Sequence, residues 1–124
     1  MPHLALEYSA NVPDSVDWQR VMVRVHRALL TLDLFRVEDL KSRAIRLEHV
    51  LVGDGSMTTG FVHLTVSILS GREPETRHAI SHRCLEVLGE ELAPAARQLR
   101  LDITVDVREM ERQGYAKIVL NPPS

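Results

Sequence analysis

Leu99-Arg100-Leu101-Asp102-Ile103-Thr104-Val105-Asp106-Val107-Arg108 alternates apolar and polar residues at every step. Successive side chains of a strand point to opposite faces, so a period of two means one buried face and one wetted face. The stretch predicts a β-strand over about 99 to 108. Just before it, Ile80, Cys84, Leu85, Val87, Leu88 and Leu92 recur at helical spacing. Pro74, flanked by Glu73 and Glu75, suits the first turn of that helix, where a missing N–H does no harm and the helix dipole favours anions. A helix over about 73 to 93 follows. Upstream again, Val62, Leu64, Val66 and Ile68 alternate within 61 to 69, a second strand.

The first half of the chain repeats this order. Leu4, Leu6 and Tyr8 alternate in a strand over about 2 to 8. Trp18, Val21, Met22, Val25, Ala28, Leu29 and Leu32 form one stripe of a helix over about 15 to 32, with Asp14 or Ser15 as its cap. A strand at about 41 to 51 closes the unit, and 115 to 120 reads as a short edge strand. Gly53-Asp54-Gly55-Ser56 joins the halves as a turn. It lacks the lysine-serine continuation of a phosphate-binding loop.

Two β-α-β repeats give an α+β domain spanning 1 to 124: a four-stranded sheet with two helices on one face. The second sheet face, either that of Val62, Leu64, Val66 and Ile68 or its opposite, has no helical cover. That predicts a homo-oligomer burying it.

The 124 residues carry 15 Lys and Arg against 17 Asp and Glu, a formal charge of -2. This balance argues against a nucleic-acid partner. No apolar run approaches the roughly 20 residues that cross a bilayer, and no secretory signal opens the chain, so a cytoplasmic protein without membrane attachment is expected. The one cysteine, Cys84, lies in a helical apolar stripe and reads as core.

Pro2 directly follows Met1. Loss of the methionine would make its nitrogen a free secondary amine at the start of a strand, a base held in place. The plain alternative is a proline that stiffens a terminus. Two groups of cations, Lys41-Ser42-Arg43 and Gly71-Arg72, each lie beside a strand that can bring them to the start of the first. An amine base in an anion pocket is the reading from the residues. Arg72 is the first candidate for a carboxylate, because guanidinium is a planar two-pronged donor; Lys41 and Arg43 follow.

His78 and His82 stand four apart on the second helix, but no third ligand or intervening glutamate accompanies them. No metal site is expected. His3 and His63 sit on strands and either line a pocket or satisfy a hydrogen bond within the sheet. Tyr8 and Phe61 wall a pocket or fill the core, and Glu7 is structural.

Met1-Pro2-His3 with Glu7 and Ser9, Leu40-Lys41-Ser42-Arg43, Phe61-Val62-His63-Leu64-Thr65, and Gly71-Arg72 with Glu75 and Arg77 together resemble the 5-carboxymethyl-2-hydroxymuconate Δ-isomerase family of the tautomerase superfamily. The resemblance runs in order over about 2 to 92; the last thirty residues match only in strand pattern. It implies a homotrimer, a catalytic Pro2 exposed by loss of Met1, a polycarboxylate substrate and no cofactor. It also implies a step in homoprotocatechuate breakdown that turns a dienol with three carboxylates into a conjugated ketone. Lys41 departs from the family's arginine, keeping charge but losing the two-pronged geometry. Two other functions remain open: a proline-dependent tautomerase of a smaller enol acid, and a non-catalytic binding protein of the same fold.

Overall fold

A computed structural model describes residues 1–123. Strand β1 spans His3–Ser9, helix α1 Trp18–Leu30, strand β2 Lys41–Leu47, strand β3 Thr59–Leu69, helix α2 Pro74–Leu92 and strand β4 Arg100–Met110. The sheet order is β2-β1-β3-β4. β1 runs parallel to β2, β3 parallel to β4, and β1 antiparallel to β3. Each half is thus one β-α-β unit, and the two meet at the central β1–β3 pair.

The alternation seen in the sequence sorts the two faces. Leu4, Leu6, Val62, Leu64, Val66 and Ile68 are buried beneath the helices, against Val21, Val25, Leu29, Ile80, Cys84 and Leu88. The uncovered face is the opposite one, where His3, Ala5, Glu7, His63, Thr65 and Ser67 are only half-buried. Leu85, assigned from the sequence to the helical stripe, is 39% exposed and lies outside the core. Between the helices, Arg24 Nη1 meets Glu91 Oε1 at 2.6 Å. Trp18 stacks on Tyr8 with ring centroids 4.0 Å apart, tying the start of α1 to the end of β1.

Several boundaries differ from the sequence expectation. α1 begins three residues later than 15, because the amide of Val16 folds back to the Pro13 carbonyl in a separate turn. Asp17, not Asp14 or Ser15, supplies the cap, its Oδ1 accepting from the Arg20 amide at 3.1 Å. The same helix ends at Leu30, where the amides of Thr31, Leu32 and Asp33 bond three residues back and Asp33 turns to φ 57°. β2 stops at Leu47 instead of 51, because β1, its only ladder partner, ends at Ser9.

The predicted edge strand at 115 to 120 does not form. After β4 the chain crosses the end of the sheet instead of running beside an edge. Arg112 Nε donates to the Ser70 carbonyl after β3, Tyr115 reaches His3 on β1, and Lys117 reaches Asp39 just before β2. A segment that leaves β4 and crosses the ends of the other three strands in turn has no ladder to join.

Candidate active site

The register brings the expected residues to one end of the sheet. His3 lies opposite Lys41 on one side and Ser67 on the other, and the Lys41 amide donates to the Pro2 carbonyl at 3.4 Å. β3 runs antiparallel to β1, so its C-terminal end, leading into Gly71-Arg72, arrives at the same place. Pro2 is buried, Lys41 exposed and Arg72 half-buried. Arg43 pairs with Ala5, one step further along the face that carries Lys41.

Gly71 makes the turn that aims Arg72. Its φ of 117° is a backbone state that side chains other than glycine's rarely adopt. Arg72 then reaches away from the sheet toward the loop after α1, where Nη2 donates to the Leu34 carbonyl at 3.1 Å. Its guanidinium carbon sits 5.2 Å from the centre of the Phe35 ring. One prong is used on the protein and the plane is fixed by the ring, which leaves other donors free for an anion.

A cavity of about 600 Å³ opens at this end of the sheet. His3, Asp39, Lys41, Tyr115, Lys117 and Val119 are among the residues that line it. Of the cations singled out in the sequence, Lys41 alone lines it; Arg43 and Arg72 flank the region from outside. His3 Nε2 and the Tyr115 hydroxyl are 2.8 Å apart, so His3 both lines the cavity and satisfies a hydrogen bond. Burial, with Lys41 and Arg43 nearby, holds the His3 imidazole below its ordinary pKa.

Lys117 and Asp39 were missed in the sequence. Lys117 Nζ donates to Asp39 Oδ1 at 3.0 Å and lies 3.3 Å from Met1 Sδ. That hydrogen bond holds the Asp39 carboxyl below the usual carboxylate range. No periodic signal marks either residue, because Asp39 ends a single 3-10 turn, Val37–Asp39, and Lys117 lies in an irregular segment. The only hint was a lysine and a tyrosine within an otherwise apolar run, Tyr115-Ala116-Lys117-Ile118-Val119.

With Met1 present the Pro2 nitrogen is a tertiary amide and cannot accept a proton. The Met1 amine, one residue further out, has its pKa lowered mainly by burial; Asp39 opposes this, and Lys117, Arg72 and Lys41 reinforce it. An amine whose pKa is lowered beside several cations is suited to removing a proton from an acid whose conjugate base the same cations attract.

Away from this end, Cys84 is buried and its thiol is pushed up to about 12. His78 and His82 stack with centroids 3.7 Å apart, and among the described residues no three metal-ligating side chains gather.

The family model for 5-carboxymethyl-2-hydroxymuconate isomerase matches residues 2–119. A 5-carboxymethyl-2-hydroxymuconate Delta-isomerase of Escherichia coli is 24% identical over 110 residues, covering 89% of this chain and 87% of that protein. The crystal structure of a 5-carboxymethyl-2-hydroxymuconate isomerase from Deinococcus radiodurans superposes with a TM-score of 0.86 at 28% identity, over 94% of this chain and 88% of the other. A more distant structure, a fused 4-OT described as a wild-type symmetric trimer, shares the fold at 10% identity with a TM-score of 0.70, covering 90% and 87% of the two chains.

Proposed function

The chain belongs to the 5-carboxymethyl-2-hydroxymuconate isomerase family and is an isomerase of the tautomerase superfamily, and from that premise we propose that it ketonises 5-carboxymethyl-2-hydroxymuconate in homoprotocatechuate breakdown, with Pro2 as the base. Removal of Met1 frees the Pro2 amine. The amine takes the proton of the 2-hydroxyl, so an O–H bond breaks and an N–H bond forms. The electron pair becomes the C2 carbonyl, the double bonds shift, and the same nitrogen returns the proton to C5. Nothing is consumed, which matches a reaction that needs no cofactor.

The observation that carries this reading is the convergence of Pro2, Lys41 and Arg72 on one end of the sheet. An α-amino group titrates near 7.7 to 8.0 in water. The burial and cations that depress the Met1 amine act in the same direction on a Pro2 amine one residue inward. Lys41 and Arg72 hold substrate carboxylates, Arg43 guides the anion from the strand face, and the cations offset charge that develops on the dienolate oxygen.

The reading also carries a cytoplasmic homotrimer folded as one domain. The uncovered sheet face and the exposed Ile118, Val119 and Leu120 are surfaces that an assembly would cover. A smaller enol acid is the second reading. It is favoured by the cavity, which takes in Lys41 and leaves Arg43 outside.

The test is ketonisation of the dienol followed by ultraviolet absorbance, with protein whose mass has established that Met1 is gone. Saturable turnover that is lost in Pro2→Ala and in protein retaining Met1 supports the mechanism. Full activity in Pro2→Ala overturns it.

A further inference from the structure

The segment after β4 has no part in the mechanism above, yet it closes one side of the cavity. Lys117 is the charged group it contributes. Its side chain is 35% exposed and that of Asp39 17%, so the pair sits at the cavity wall, partly shielded from water. Such a pair adds little to stability. An ammonium has three donors and no acceptor. In Lys117 one donor is taken by Asp39 and a second faces only the Met1 sulfur, a weak acceptor. Loss of Met1 would remove that sulfur contact and leave the donor free. Lys41 lines the same cavity. The two ammonium groups are separate point charges in one cavity, an arrangement suited to two carboxylates on one molecule.

We propose that Lys117, held by Asp39, is a specificity-determining residue of this cavity, taking a carboxylate of a di- or tricarboxylate and so selecting it over a monocarboxylate. The assignment deepens the reading of the site given above and rests on it. Asp39 stations the ammonium at the cavity lining, and an entering carboxylate then shares it.

The experiment uses Met1-free protein and two variants, Lys117→Gln and Lys117→Arg, with two readouts. The first is affinity for propane-1,2,3-tricarboxylate, an inert probe, measured by calorimetry. The second is the ratio of kcat/KM for the tricarboxylate dienol to that for an enolpyruvate monocarboxylate. Lys117→Gln is expected to weaken probe binding about tenfold, the loss of one charge-assisted hydrogen bond, and to reduce the ratio by a similar factor. Lys117→Arg should restore most of both. Equal losses on the two substrates, or probe affinity unchanged in Lys117→Gln, would overturn the proposal, as would a parent protein that does not bind the probe. If the parent turns over neither enol, the reaction proposed above fails, and the probe affinities alone decide the role of Lys117.

Discussion

Tyr115 and His3 stand 112 positions apart in the chain, yet the phenolic oxygen lies 2.8 Å from the imidazole Nε2. This bond fastens the segment after β4 across the first residue of β1, and both residues line the cavity. Tyr115→Phe removes it while keeping the ring. A net loss of about 1 kcal/mol is expected, with a KM several-fold higher and a smaller change in kcat. Thermal melting and steady-state kinetics on one preparation check both. An unchanged KM would mean that the segment holds its position without this bond.

Arg72 is expected to act on binding more than on folding. In Arg72→Ala the hydrogen bond to Leu34 and the contact with Phe35 disappear, at a cost of about 1 to 2 kcal/mol. The KM for a carboxylate substrate should rise by about tenfold or more. Arg72→Lys should recover charge without the fork and restore only part of the loss. Full recovery in the lysine variant would show that orientation is unimportant there.

Gly71→Ala tests the turn that aims Arg72. A side chain at φ 117° is strained by about 1 to 3 kcal/mol. Space is not the obstacle, since the nearest atom to an added Cβ is Arg112 Nε at 3.8 Å. Denaturant unfolding should therefore show destabilisation together with a raised KM, because relaxing the turn moves the guanidinium.

Acid should weaken the fold through His26 and His3. Burial pushes the His26 imidazole below its ordinary 6.5, and burial with nearby cations does the same to His3. Between each lowered value and 6.5 the unfolded chain binds more protons than the folded one, so their contribution to stability is whole above pH 6.5 and is lost as pH falls. The urea midpoint should decrease from pH 7.5 to pH 5. His26→Gln should flatten part of that decrease; an equally steep profile in the variant would assign the effect to other groups.

Cys84 should be inert in the native protein. Its thiol is wholly enclosed and pushed up to about 12 by desolvation, so the reactive thiolate is nearly absent at neutral pH. A thiol reagent is expected to modify it only at the rate of unfolding, which mass spectrometry along a denaturant series reads directly. Rapid labelling without denaturant would contradict the packing of α2 on the sheet.

Much of this molecule was readable from its residue order. The strict alternation of 99 to 108 and of Val62, Leu64, Val66 and Ile68, and the helical stripes of α1 and α2, record which side of each element meets the core. Burial of an apolar face repeats at the period of the backbone itself, so it leaves a local trace. Two such units in tandem limit the sheet to few arrangements, and the candidate cations of Lys41 and Arg72 follow from their places at strand ends.

The departures lie where long-range geometry overrides local preference. Nothing local distinguishes an extended segment that joins a sheet edge from one that crosses strand ends, so 115 to 120 read as a strand. Only the path from β4 over Ser70 and His3 to Asp39 excludes that ladder. The helix cap moved to Asp17 because a turn closed by Pro13 competes for the preceding residues. Lys117 and Asp39 stand 78 residues apart, one in an irregular segment and the other in a single 3-10 turn, neither with a repeating pattern. Their pairing arises from the folded path of the chain, since a contact between loops is set by where the packed elements deliver their ends and leaves no repeating mark in the order of residues.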